Sequence, residues 1–108
     1  MIAKIIIKRR FIEGKERQIM SLLNEIRARA MNQPGYISGE TLMHREYPQN
    51  MIIIATWQTM EDWVRWKDSE ERKKYEAMLE MYQTRNTDYE EYFLGSAFFT
   101  KAEQRSSQ

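Results

Sequence analysis

Two runs of the chain, residues 2–7 and 51–57, are apolar without alternating: Ile5-Ile6-Ile7 in the first, Met51-Ile52-Ile53-Ile54-Ala55 in the second. A strand turns successive side chains to opposite faces, so a sheet with one wet face reads apolar, polar, apolar. These two strands are therefore expected to be covered on both faces. The remaining apolar positions supply helices for one face only. A second copy of the chain is expected over the other, and any pocket is expected under the helices.

The first strand is predicted over residues 2–8. Glu13-Gly14 signals a turn. A helix follows over 15–31, with Ile19, Leu22, Leu23, Ile26 and Ala30 spaced by three and four along one stripe. Pro34 and Gly35 end it, because proline pushes its predecessor out of helical dihedrals and glycine tolerates positive φ. Residues 36–45 read as a second strand, with Gly39 marking a bulge or a close approach. Residues 51–57 form the third. Thr59 and Asp62 have the spacing of a capping box, and Asp68 and Glu71 repeat it. Two short helices are thus expected, the second from about Ser69 to Gln83 with a stripe of Tyr75, Met78, Leu79 and Tyr82. The aromatic stretch 89–99 reads as a fourth strand. The order is βαββ(αα)β, an α+β, ferredoxin-like arrangement with a four-stranded antiparallel sheet and its helices on one face. Residues 1–100 are read as one domain and 101–108 as a polar, disordered tail.

Composition narrows the function classes. The chain has 108 residues, with 17 basic and 16 acidic side chains and a net charge of +1. That balance gives no electrostatic footprint for nucleic acid or an anionic membrane. The short runs Lys8-Arg9-Arg10 and Arg72-Lys73-Lys74 read as solvated faces or strand ends. There is no cysteine, which removes disulfides, thiolate metal sites and cysteine nucleophiles and fits a cytoplasmic protein. No run approaches the roughly 20 apolar residues of a membrane span, and the N-terminal run is too short for a signal peptide.

The third strand lacks the aromatics that stack bases in RNA-recognition domains. Glycines do not cluster as in a phosphate-gripping loop. His44 is the single histidine, so no protein metal site is expected. As the one side chain titrating near neutrality, His44 is the candidate general base, with an exposed strand-end histidine as the alternative. Trp57, Trp63 and Trp66 offer large flat bodies with one N–H each. Trp63 reads as an anchor of its helix to the sheet, Trp57 as packing near the strand end or a site residue, and Trp66 as either core or pocket wall. Met78 is either core or pocket rim.

The stretch Pro34-Gly35-Tyr36-Ile37-Ser38-Gly39-Glu40-Thr41-Leu42 resembles the second strand of antibiotic biosynthesis monooxygenase domains. So does Thr56-Trp57-Gln58-Thr59-Met60-Glu61-Asp62-Trp63, followed by Trp66 and Ser69-Glu70-Glu71-Arg72. The resemblance implies a dimeric α/β barrel made by two sheets packing face to face. It also implies a cofactor-independent oxidation, by O2, of a small aromatic or polycyclic phenol or quinol-type molecule. His44 and Trp66 are then the candidate catalytic residues, and Arg9, Trp57, Trp66, Tyr75 and Met78 the candidate substrate contacts. The haem-degrading branch of this superfamily uses an asparagine on the first strand, a tryptophan after the third and a histidine ten residues beyond. Trp66 matches the tryptophan, but Ile7 and Glu76 stand at the other two positions, against haem degradation. The alternative reading is a non-catalytic ligand-binding or interaction module on the same barrel, with an atypical haem-binding protein behind it.

Overall fold

The computed structural model describes residues 1–95. In chain order the elements are β1 (Ala3–Arg10), α1 (Glu16–Ala30), β2 (Tyr36–Met43), β3 (Asn50–Trp57), α2 (Met60–Lys67), α3 (Glu70–Glu80) and β4 (Asp88–Phe93). The strands pair antiparallel in the order β2-β3-β1-β4. The expected α+β, ferredoxin-like architecture is the one observed.

Strand parity decides which side chains meet the helices. In β1, Ala3, Ile5, Ile7 and Arg9 are buried, whereas Lys8 and Arg10 are exposed. The register sets Trp57, Ala55, Ile53 and Met51 of β3 opposite those four residues, and directly opposed residues share a face. The helices lie on that side. Ile19, Leu23 and Ile26 of α1 and Leu79 of α3 are buried there with Trp57 and Trp63, each aliphatic contributing roughly 1.5–3 kcal/mol. On the other face Ile6 stands opposite Ile54, and Lys8 opposite Ile52, which in turn faces Leu42 of β2. Ile6, Ile52 and Ile54 are half-buried and Leu42 is exposed. No described helix covers this face.

The helix ends show how local chemistry sets the boundaries. Thr59 caps α2 as expected: its hydroxyl accepts from the Asp62 N–H at 3.1 Å and donates to the Asp62 carboxylate at 2.9 Å. The second box forms differently from expectation. Asp68 keeps near-helical dihedrals (φ −90, ψ 0) and closes α2, so the extended Ser69 caps α3, accepting from the Arg72 N–H at 3.1 Å. Helix α3 ends at Glu80, short of the expected Gln83. Residues 82–84 instead pair with the end of β1, through Ile12 N–H to the Tyr82 carbonyl and Thr84 N–H to the Arg10 carbonyl, both 2.8 Å. The part of the expected fourth strand over 96–99 and the expected tail at 101–108 lie outside the described residues.

Two glycines tie the chain together. Gly39 follows a bulge between Tyr36 and Ser38, and a Cβ on it would sit 2.8 Å from the Tyr36 hydroxyl oxygen. Gly35 has φ +87, its carbonyl accepts from Gln58 N–H at 2.7 Å, and a Cβ would lie 2.1 Å from the Asp62 carboxylate. Gly14 has nearly the same dihedral, φ +88, with nothing within 4 Å. Gly14→Ala should therefore cost only the left-handed strain, roughly 1–2 kcal/mol, whereas Gly35→Ala should cost clearly more because the capping Asp62 must move. Urea melts of the two variants check this, and equal losses would disprove the contact.

Candidate functional site

A cavity of about 70 Å³ lies between the sheet and the helices. Its floor is Ile7, Ile53, Ala55 and Trp57, its roof Leu23, Ile26 and Ala30 of α1, and its walls Tyr36, Trp63 and Trp66. The hollow has a cause in the register. Gly39 of β2 faces Ala55 of β3 on the helix side, so two neighbouring strand positions contribute almost no side-chain volume. The tryptophans frame what is left. Tyr36 meets Trp57 edge-on at 5.4 Å, and Trp57 and Trp63 are tilted at 6.1 Å.

One side of this cavity is closed by a buried ionic network. The Glu76 carboxylate receives both Arg9 terminal nitrogens, at 2.8 and 2.5 Å, and an Arg72 nitrogen at 3.1 Å. Arg72 also donates to the Tyr89 hydroxyl at 2.9 Å and stacks on the Trp63 and Tyr89 rings at 5.2 and 5.3 Å. The Trp63 N–H donates to Glu91. Burial alone would raise the Glu76 pKa. The hydrogen bonds and charge of Arg9, the charge of Arg72 and the Thr87 hydroxyl outweigh it and hold the carboxyl below the ordinary glutamate value. Tyr89 is shifted upward by burial, against the Arg72 charge.

The structure sorts the candidate residues into three places. Trp57, Trp66 and Arg9 line the cavity. His44 does not. It is exposed at the end of β2, where its Nδ1 accepts the Glu46 and Tyr47 N–H groups at 3.1 Å, and it borders an open concavity of about 700 Å³ with Lys8, Arg10 and Asp88. Arg9 borders both spaces. Tyr75 is buried between α1 and α3, its hydroxyl accepting from Arg29 Nε at 2.6 Å, and Met78 lies in a groove with Leu22 and Tyr82. The basic runs need correction. Arg9 and Arg72 are only 4% and 3% exposed and are not solvated. The signals were present: Arg9 continues the buried odd-numbered parity of β1, and Arg72 stands four residues before Glu76 on one helix face.

The family model for antibiotic biosynthesis monooxygenases matches residues 2–78. The chain belongs to that family. No curated protein matches it. Solved structures share the fold at low identity. A conserved protein from Methanosarcina mazei Go1 superposes with a TM-score of 0.79 at 15% identity, over 85% of this chain and 91% of that one. SnoaB, a cofactor-independent oxygenase from Streptomyces nogalater, gives 0.75 at 16% identity over 87% and 94%. Rv0793 from Mycobacterium tuberculosis gives 0.77 at 11% identity over 87% and 95%.

The geometry bears on the haem-degrading branch of this superfamily. Glu76, at the position of that branch's histidine, is engaged by two arginines, and Ile7, at the asparagine position, is a buried hydrocarbon in the cavity floor. These residues do not fit haem ligation. Among the described residues no group of three or more histidine, cysteine, aspartate or glutamate side chains could hold a metal ion.

The Glu76 cluster sets an acid limit on stability. Its folded pKa is depressed, so the stabilisation is fully present above the unfolded glutamate value of about 4.3 and is lost as pH falls through the lower folded value. Glu76→Gln should cost about 3–5 kcal/mol at neutral pH by leaving two guanidinium groups without their counter-charge, and should flatten the acid limb. Urea midpoints from pH 7 to pH 3 for the two proteins measure both effects.

Proposed function

We propose that this chain is a cofactor-independent monooxygenase that oxidises a small phenol or quinol-type aromatic with O2 in the cavity under its helices, and that it works as a homodimer. The observation that carries the reading is the cavity itself: apolar, walled by Tyr36, Trp57, Trp63 and Trp66, in a member of the antibiotic biosynthesis monooxygenase family. The cofactor-independent oxygenase SnoaB shares the fold. In such chemistry the substrate supplies the electrons. Once it loses a proton, the electron-rich anion reduces O2. In an anthrone-type substrate, the keto tautomer of a polycyclic phenol, the ring methylene becomes a carbonyl, one oxygen atom stays on carbon, and the other leaves as water with the two methylene hydrogens. The protein has to hold the ring flat and stabilise the anion. Trp57 and Trp66 are assigned the ring faces and Arg9 the anion. His44 stands outside this cavity and takes no part in that assignment.

At about 70 Å³ the cavity is roughly half the volume that takes up benzene in an engineered apolar void. Even a single ring therefore requires the helices to move outward, and a polycycle requires more. A second reading, a non-catalytic binding module, is favoured by one observation: no imidazole or carboxylate lines the cavity among the described residues. The homodimer is supported by the open sheet face, where Ile6, Ile52, Ile54 and Leu42 form an apolar strip flanked by the Lys8–Glu90 ion pair. No described helix is long and apolar enough to cross a membrane, and with no cysteine in the chain a cytoplasmic location completes the proposal.

Oxygen uptake against a panel of hydroquinones, naphthols and anthrones tests the activity. Heat-sensitive uptake is expected, falling at least tenfold in Trp66→Ala and little in His44→Ala. A protein that binds these compounds without consuming oxygen is the binding module instead. Light scattering should give a dimer at micromolar concentration. Ile54→Glu, which places a charge in the centre of the open face, should give a folded monomer.

A further inference from the structure

The cavity is one part of a longer apolar strip on the helix side of the sheet. Three rows of side chains define the strip. On β3, Trp57, Ala55 and Ile53 lie under the cavity, and Met51 continues the row beyond it. On β2, Tyr36, Gly39, Thr41 and Met43 stand opposite those four in register. On α1, Met20, Leu23, Arg27 and Ala30 follow at spacings of three and four, so they share one flank. Arg27 ties that flank to β2 through the Gly39 carbonyl, at 3.2 Å. From Trp57 to Met51 is six positions, or about 20 Å at the strand rise.

The far part of the strip is a second hollow, a groove of about 340 Å³ lined by Ile12, Ile19, Met20, Met43, Pro48 and Met51. Three of these are large apolar side chains exposed together: Ile12 at 36%, Met20 at 41% and Met43 at 61%. Such residues scattered singly need no explanation, but grouped in one groove they mark a surface that takes an apolar partner. Methionine suits that use, because its unbranched thioether chain adapts to what it meets. Where the two hollows adjoin, Leu23 and Ile53 belong to the cavity and Ile19 and Met51 to the groove. Nothing covers β2 there, since Thr41 and Met43 are both exposed. A chain can therefore pass from one hollow to the other along β2. The charges differ at the two ends. Those of the cavity lining are guanidinium groups. Among the described residues the groove's one charged side chain is Glu16, in the first turn of α1 and away from the cavity.

We propose that the ligand of the cavity carries an unbranched hydrocarbon tail, and that the tail lies in the groove against Met20, Met43 and Met51. This rests on the cavity being the substrate site and identifies the part of the substrate that lies outside it. Glu16 at the far end excludes an anionic tip, so the tail ends uncharged. The tail also bears on entry. A ring enters only as the helices move outward, and binding energy from a remote, non-reacting part of a ligand offsets such a distortion.

The test is a binding series of 4-alkylphenols from methyl to octyl. All three tryptophans line the cavity, so their indole N–H resonances report the ring and the methionine methyl resonances report the tail. Each added methylene should tighten binding by roughly two- to fourfold, which puts 4-octylphenol on the order of a hundredfold above 4-methylphenol. 4-Octylphenol should move the Met20, Met43 and Met51 methyl resonances together with the indoles, whereas 4-methylphenol should move the indoles alone. Met20→Glu, at an exposed helix position, should weaken 4-octylphenol about tenfold and keep 4-methylphenol within about twofold. Met20→Leu should retain both affinities. Met81→Glu, in the separate groove beside Leu22 and Tyr82, should change neither. Affinity that is flat along the series, stationary methionine methyls, or an equal loss of both probes in Met20→Glu would each overturn the proposal. So would shifts confined to the methionines, which place the ligand in the groove alone. A fall in the molar mass of Met20→Glu by light scattering would make the groove a contact between copies and overturn it as well. No oxygen uptake is read, so an inactive protein can still pass. Failure of the activity and failure of the tail site therefore show as different results.

Discussion

Glu76 ties helix α3 to the edge of the sheet where the backbone ladder already pairs β1 with β4. Its carboxylate takes a fork of two hydrogen bonds from Arg9 on β1 and a third contact from Arg72 on its own helix, and Arg72 reaches on to Tyr89 on β4. Burying three charges is costly, and well-packed hydrocarbon would often be at least as stable in their place. What the cluster adds is orientation. A guanidinium fork on a carboxylate fixes angle as well as distance, so α3 is held in one position over the β1–β4 edge. The aromatic rings of Trp63 and Tyr89 then have a fixed cation against which to stack.

The same cluster determines what the cavity can do. It uses the terminal nitrogens of Arg9 and leaves Nε unpaired. It also takes up the nearby carboxylate, and no imidazole or carboxylate lines the hollow among the described residues. The charged side chains in its lining are therefore all guanidinium groups, those of Arg9, Arg27 and Arg72. The apolar remainder follows from register, since the Gly39–Ala55 pair leaves space that Trp57, Trp63 and Trp66 enclose without filling.

Much of this was legible in the residue pattern. The βαββ(αα)β order, the α1 stripe and the Thr59 cap follow from periodicity and capping chemistry, and the structure shows all three. Where reading and structure part, the cause is contact across the sequence. Arg72 looked like part of a solvated basic run because its partners, Arg9 through Glu76 and Tyr89, come from distant strands. The α3 end looked longer because its stripe continues to Tyr82, whereas residues 82–84 are drawn off to pair with β1. Asp68 and Ser69 both suit a cap, and only backbone dihedrals separate them. The candidate site divides in the same way. Trp57 and Trp66 carry the motif that points to the cavity, while His44 attracted attention for its chemistry alone, and nothing in a strand-end position guarantees that a side chain faces the hollow.

A cavity lined by guanidinium groups, with no imidazole or carboxylate among the described residues, would suit the proposed reaction, in which the substrate provides the difficult chemistry. A phenol or activated methylene in contact with N–H groups and guanidinium charge becomes more acidic, because its anion is stabilised more than its neutral form. A carboxylate left ionised in the wall would repel that anion. Under the proposed function, pairing Glu76 with Arg9 and Arg72 would serve the ligand as well as the fold, since it keeps the Glu76 charge away from the space where a substrate anion would form.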